Sequence, residues 1–299
     1  VIKVSSKDQR WLRPGVGSTE IASLLGCGAI EEQSALVAWA KVVQKIELTE
    51  IKQVQKQVLQ QGSKEWHNWR KLGVGGSEVA CVVGANPYRD SQADRVWARK
   101  LPEDHPYAKP ETADNDAMAR GRKFEPDARK LYESLFGWTV KDVCVLHDDY
   151  PHVRCSLDGL STDDKLVAEI KCPGDKNHEK YITISRIQDN FERQTAFAKT
   201  FPYYRYQVLY QLLITGAEVC HFVSYSPEWR TQNDRFVLIT LYPEPDEQVR
   251  LLERVNLFWQ FVESRTPPPK EWLEPCWNLP TSLLVQDKCS PPSEPPSSS

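Results

Sequence analysis

Three ionisable side chains in this sequence are spaced to work together. Asp158 sits in Ser156-Leu157-Asp158-Gly159-Leu160, and eleven residues later Glu169 and Lys171 stand two apart in Glu169-Ile170-Lys171-Cys172-Pro173. Side chains of an extended chain alternate sides with a period of two. Glu169 and Lys171 therefore share one face, and Leu166, Ala168 and Ile170 take the other. The pattern predicts a half-buried strand with an acid and a lysine side by side on its working face. Such a set suits metal-dependent phosphodiester cleavage: carboxylates hold a divalent cation, and the ammonium steadies a water or a developing charge. An E-x-K pair alone arises by chance, and a lone surface lysine is usually just solvated. Two further polar residues extend the pattern in chain order: Glu125 in Gly121-Arg122-Lys123-Phe124-Glu125, and Gln207 in Tyr204-Arg205-Tyr206-Gln207, with Gln211 one helical turn on.

The elements that must carry these residues can be read from periodicity. Strands are expected at roughly Thr139 to Leu146, Val153 to Asp158 and Leu166 to Lys171, then near Val219 to Tyr225 and Phe236 to Leu241. Asn115 to Phe136 reads as a helix with Phe124, Ala128, Leu131 and Leu135 on one face and Gly137 as its stop. Pro126 within it implies a kink or a second helix start. A helical stretch is expected from about Arg205 to Thr215, and a closing helix near Asp246 to Glu263. Pro102 to Thr112 reads as a charged loop, and Glu47 to Gln61 as a linker helix. The order points to an α/β core. It has a central mixed β-sheet flanked by helices, and a helical N-terminal extension.

That extension holds a repeat. Trp11 to Lys41 aligns without a gap on Trp69 to Arg99 at an offset of 58, with Gly15/Gly73, Gly17/Gly75, Glu20/Glu78 and Trp39/Trp97 identical. Two copies are too few for a solenoid, so a duplicated helical module is the simpler reading. In the second copy Ser77 is placed to cap a helix. The expected organisation is a helical extension over 1–60 with a degenerate copy of the 69–99 module, a catalytic domain over 61–265, and a Pro/Ser-rich extended or disordered tail over 266–299. Trp272 and Trp277 in the tail are candidates to dock on the body or on a partner.

Composition narrows the class. The chain has 299 residues, 40% hydrophobic and 26% charged, with a net charge of -3, so a nucleic-acid surface would be a local basic patch offset by acids elsewhere. None of the eight cysteines forms a C-x-x-C pair. Most lie in apolar runs, which points to reduced thiols in a cytoplasmic, reducing compartment and against a zinc or iron–sulfur site. No signal peptide is evident, and no apolar run is long enough to span a bilayer.

Taken together, the motifs resemble a known family: the phage-lambda-type exonuclease, or YqaJ-type viral recombinase, branch of the PD-(D/E)xK nucleases. The resemblance runs from about Gln60 to Pro268. It is carried by QGSKEWHNWRKLGVGGSEV (61–79), ANPY (85–88), ARGRKFEPDAR (119–129), CSLDGL (155–160), AEIKCP (168–173) and YRYQVLYQLLITG (204–216). The resemblance implies a restriction-endonuclease-like core and a two-metal, Mg²⁺-dependent exonuclease, with Mn²⁺ as a substitute, that degrades one strand of duplex DNA from its 5′ end and leaves 3′ single-stranded overhangs for recombination. By the same carry-over Asp158 and Glu169 are direct metal ligands, Ile170 offers its backbone carbonyl and Glu125 completes the second metal's shell. Lys171 and Gln207 position and activate the attacking water. Arg70, Ser77 and Ser156 grip the 5′-terminal phosphate, a role that suits a guanidinium fork. The chain departs from the pattern by one extra residue after Arg70, by Leu157 where a proline is common, and by the duplicated module.

The implied partners are double-stranded DNA ends, a single-strand annealing protein and a ring-shaped homo-oligomer, a trimer by resemblance, in a phage- or virus-infected host cell. Two other readings stand beside this one. One is a DNA endonuclease or iron–sulfur-type exonuclease of the same superfamily. The other is a catalytically inactive DNA-end-binding protein on the same fold.

Overall fold

The computed structural model describes residues 55–86, 92–110, 115–137, 141–269 and Trp272. The first copy of the repeat, Cys27, Cys276, Cys289 and Trp277 lie outside the described residues. Among those described are six strands and eight α-helices. In chain order they are β1 (Gln55–Gln57), α1 (Lys64–Lys71), α2 (Gly76–Val82), α3 (Ala93–Lys100), α4 (Asp116–Phe136), β2 (Lys141–Leu146), β3 (Arg154–Leu160) and β4 (Leu166–Lys171). There follow α5 (Asp175–Ser185), α6 (Asn190–Thr200), α7 (Pro202–Thr215), β5 (Val219–Tyr225), β6 (Phe236–Leu241) and α8 (Pro245–Glu263).

The strands form one mixed sheet in the order β1-β2-β3-β4-β5-β6. Every neighbouring pair is antiparallel except β4 and β5. Parallel neighbours cannot be joined by a tight turn, and α5, α6 and α7 make the crossover. The α/β core with helices flanking a mixed sheet is therefore observed, and β4, β5 and β6 span the expected residues.

Local chemistry sets the helix ends. Asn115 caps α4 by accepting from the Met118 N–H at 2.9 Å. Gly137 closes that helix in the left-handed region at φ 63°, its N–H bonded to the Glu133 carbonyl, and Gly216 does the same for α7 at φ 65°. Pro202 opens α7 at a position where a missing N–H costs nothing. Pro126 neither breaks α4 nor starts a second helix; the helix runs continuously through it.

Three expectations are corrected, and two helices are added. Residues 55–57 belong to a strand, not a linker helix: Gln55, Lys56 and Gln57 pair with Leu146, Val145 and Cys144, and Lys56 makes an ion pair with Asp164. A free sheet edge offers backbone partners that outweigh weak helix propensity. Ser77 does not cap α2; Gly75 holds that position, with its N–H donated to the Glu78 carboxylate at 2.8 Å. Helices α5 and α6 were not read from the sequence. Strand β4 is buried on both faces rather than half-buried. Leu166, Ala168, Ile170 and Cys172 pack with Ala128 and Tyr132 of α4, while Val167 joins the larger core on the other side.

Trp272 docks on the body. It is buried, donates its indole N–H to the Val82 carbonyl at 2.9 Å, and lies 3.4 Å under the Arg254 guanidinium. No helix among the described residues is long and apolar enough to cross a membrane.

Candidate active site

Strands β3 and β4 pair at Gly159↔Ala168 and Leu160↔Val167. Beyond that pairing the Ile170 N–H is taken by a side chain instead: it donates to Asp158 Oδ2 at 2.8 Å. The spacing seen in the sequence thus becomes a physical link, because the acid of one strand is oriented by the backbone of the next.

Glu169 and Lys171 do share a face, and the Lys171 ammonium is bonded to Glu169 Oε1. Helix α7 closes over that face. Gln207 donates its amide N–H to Glu169 Oε1 at 2.6 Å, and Gln211, one turn further along the same side of α7, donates to Oε2 at 2.6 Å. Glu169 is 1% exposed, and its two oxygens take three donors between them. Burial and the nearby Asp158 charge, working against Lys171, push its carboxyl up to about 7. Burial disfavours the charge on Lys171, but Glu169, Asp158 and Tyr204 outweigh it and hold the ammonium well above the usual lysine range.

Glu125 reaches the same site from α4. Its carboxyl is raised by burial and by Asp158, with Arg129 and Lys171 pulling the other way. Arg129, one turn on, donates to Glu125 Oε1 at 3.1 Å and also to the backbone carbonyl of Asp158. It ties α4 to the end of β3. The Glu125/Arg129 spacing of four is a signal the sequence carried. Arg120 on the same helix donates to the Pro173 carbonyl, Ser226 and Glu228.

The expected phosphate-binding residues lie beside this cluster. Arg70 Nη2 donates to Ser77 Oγ at 3.2 Å, with its guanidinium 4.5 Å from the Trp66 ring. Ser156, two residues before Asp158 and so on the same face of β3, stands opposite Cys144 of β2 across the sheet. The turn between Arg70 and Ser77 is pressed against the segment that leads into β3, since a Cβ at Gly73 would lie 2.3 Å from the His152 carbonyl oxygen. Helix α7 links the two groups of residues. Tyr203 donates to the Ser77 carbonyl at 2.8 Å and Tyr210 to the Val74 carbonyl at 2.9 Å, while Gln207 and Gln211 face Glu169.

The sequence did not reveal a buried ion pair behind Arg70. Lys100 Nζ donates to Glu78 Oε2 at 2.7 Å and to the Arg70 carbonyl at 2.9 Å. Nothing in the spacing of positions 78 and 100 announces the contact.

The oxygen donors present suit a hard cation such as Mg²⁺. Among the described residues, no three His, Cys, Asp or Glu side chains stand close enough to hold a metal on their own. That arrangement still fits Mg²⁺, which commonly takes one or two carboxylates and completes its shell with water and substrate phosphate. The described cysteines are free and buried, and burial pushes the Cys172 thiol up to about 12.

The family profile described as the YqaJ-like viral recombinase domain matches residues 65–218. Among solved structures the chain is similar to an alkaline exonuclease (LHK-Exo) from Laribacter hongkongensis, 25% identical with a TM-score of 0.55 over 68% of this chain and 94% of that one. The same enzyme in complex with dAMP gives 24% identity and a TM-score of 0.56 over the same shares. A phage related exonuclease from Haemophilus somnus 129PT is 16% identical, with a TM-score of 0.48 over 67% of this chain and 97% of that one. No curated protein matches the chain.

Proposed function

Because the chain belongs to the YqaJ-like viral recombinase domain family, we propose that it is a DNA exonuclease that hydrolyses one strand of duplex ends from 5′ to 3′ and leaves 3′ single-stranded overhangs. The observation that carries this reading is the buried Glu169 carboxylate, held by Lys171, Gln207 and Gln211 beside the backbone-oriented Asp158. The fold shared with an alkaline exonuclease supports it.

Asp158, Glu169, the Ile170 carbonyl and Glu125 are the residues proposed to hold Mg²⁺, two ions per site, with Mn²⁺ able to substitute. Bound there, the ions would stabilise the attacking and leaving oxygens of an in-line displacement. Burial and the Asp158 charge raise both the Glu125 and the Glu169 carboxyls, which supports this reading, because crowded buried acids are relieved by positive charge. Lys171 keeps its proton and presents an N–H donor at the site. Gln207 bonds Glu169 and keeps a small exposure of 7%, which suits orienting a water. Arg70 with Ser77 and Ser156 provides a fork and hydroxyls for a terminal phosphate. In the same reading, a ring-shaped homo-oligomer would encircle the duplex and an annealing protein would take up the overhang.

The test is digestion of linear duplex DNA with Mg²⁺, one 5′ end phosphorylated and the other bearing a hydroxyl. Mononucleotides released from the phosphorylated strand, and lost in Lys171→Ala, are the expected result. Cleavage of circular DNA in a parallel reaction would move the protein to an endonuclease. Retained end binding without cleavage in Mg²⁺ or Mn²⁺ would leave an end-binding protein.

A further inference from the structure

Gln211 is completely buried and has one polar contact that bears on the site, its amide N–H on Glu169 Oε2 at 2.6 Å. Its amide oxygen is sealed from water with no hydrogen-bond partner among the described residues. An orphaned buried acceptor carries its full desolvation cost, and a leucine would occupy the same core position without it. Its backbone carbonyl serves only the helix end, accepting from Thr215 Oγ1 at 2.7 Å. The side chain therefore serves Glu169 at an evident cost to packing chemistry.

The two glutamines on α7 divide the carboxylate between them. Gln207 bonds the oxygen that Lys171 also holds, and Gln211 alone bonds the other. With both amides in place the carboxyl plane cannot turn about its terminal torsion, which is otherwise broad and soft. Helix α7 is itself fixed against the turn that precedes α2 and against α2's first turn, through Tyr210 and Tyr203, so the plane is set by the body of the protein.

We propose that Gln211 is a positioning residue that orients the Glu169 carboxylate for cation binding. It touches neither substrate nor cation and acts through Glu169. The inference rests on the metal-dependent reading above and names a determinant of that site. Outer partners that orient a metal-binding carboxylate contribute on the order of 10- to 100-fold to metal affinity.

The experiment is Mn²⁺ titration of the full chain by calorimetry, without DNA, on the parent, Gln211→Met, Gln207→Met and Glu169→Ala. Methionine keeps the volume and removes the donor. Gln211→Leu replaces it if the methionine variant fails to fold by circular dichroism. The expected result is Mn²⁺ affinity weakened roughly tenfold or more in Gln211→Met, with the half-saturating Mg²⁺ concentration for DNA digestion raised by a similar factor. A merely structural glutamine would lower the melting temperature without moving the cation dependence. Parent binding that Gln211→Met leaves within twofold, while Glu169→Ala abolishes it, overturns the inference alone. A parent chain that binds no Mn²⁺ and digests no DNA overturns the metal-dependent reading and this inference with it.

Discussion

Glu78 and Glu169 are both buried carboxylates hydrogen-bonded to a lysine, yet they are driven in opposite directions. Burial raises both. Around Glu78 the charges of Lys100, Arg70 and Arg99 win, and its carboxyl is held below the usual range. Around Glu169 the strongest neighbouring charge is another acid, Asp158, and its carboxyl is pushed up to about 7. The pair Glu78–Lys100 stitches local backbone, taking the Gly75 N–H and reaching the Arg70 carbonyl. The cluster at Glu169 crowds negative charge where a cation would relieve it. Matched charge in the interior makes an anchor, and crowded like charge marks a candidate functional site. On Lys100 itself burial prevails over the pull of Glu78 and lowers its proton affinity, so the anchor has little to spare.

The largest expected effect tests the reactive side. Lys171→Ala removes the ammonium bonded to Glu169, and single-turnover digestion should slow roughly a hundred- to ten-thousand-fold with DNA-end binding retained. A loss of binding as large as the loss of rate would break the contrast, because Lys171 would then be a contact rather than part of the chemistry.

Lys100→Met tests the anchor. It strands the Glu78 carboxylate, whose side chain is 9% exposed against 3% for Lys100, and should cost about 3–5 kcal/mol of stability in urea unfolding. Adding Glu78→Met should recover much of that loss, since removing both partners is far cheaper than removing one. No recovery in the double variant would mean that the bonds to Gly75 and Arg70 matter more than the charge pairing.

Arg70→Gln is expected to act on end choice. Loss of a charge-assisted bond worth about 1.5–3 kcal/mol should reduce the kcat/KM preference for a 5′-phosphate over a 5′-hydroxyl end by roughly 10- to 100-fold. Equal losses on both ends would move Arg70 out of the phosphate grip and into the structural set with Glu78.

The smallest effect is in pH. The Glu78 carboxyl is lowered from 4.5, so below that value the unfolded chain binds the extra proton first and stability rises with pH through this window. Its contribution is complete above about pH 4.5 and is lost as pH falls through the folded value. Urea midpoints between about pH 6 and pH 3 should show this acid loss. It should disappear from Glu78→Gln, and persistence there would assign it to other acids.

Much of the frame was legible because it depends on short-range pattern. Strands β4, β5 and β6 follow from alternating or continuous apolar runs, and α4 from an apolar stripe ending at Gly137. Helices α5 and α6 escaped notice because polar residues such as Asp175, Lys176 and Asn177, or Asn190, Glu192 and Arg193, interrupt any strong apolar period. Their existence is instead demanded by topology, since β4 and β5 are parallel and need a crossover. Strand β1 escaped because three polar residues at a sheet edge carry no periodic signal. Arg129 was within reach through its spacing of four from Glu125, whereas the Lys100 contact with Glu78 joins separate helices and left no trace in the spacing.

The sequence by itself determined which side chains are available and which of them share a face. Period two puts Glu169 with Lys171, and the helical turn puts Gln207 with Gln211. Only the tertiary structure decided that α7 lies over that face, that Asp158 takes the Ile170 N–H, and that two buried glutamates acquire opposite proton affinities. Those outcomes depend on distances between segments far apart in the chain and on how completely water is excluded. Electrostatic energy inside a protein is set by that separation and that exclusion, and neither is written in local order.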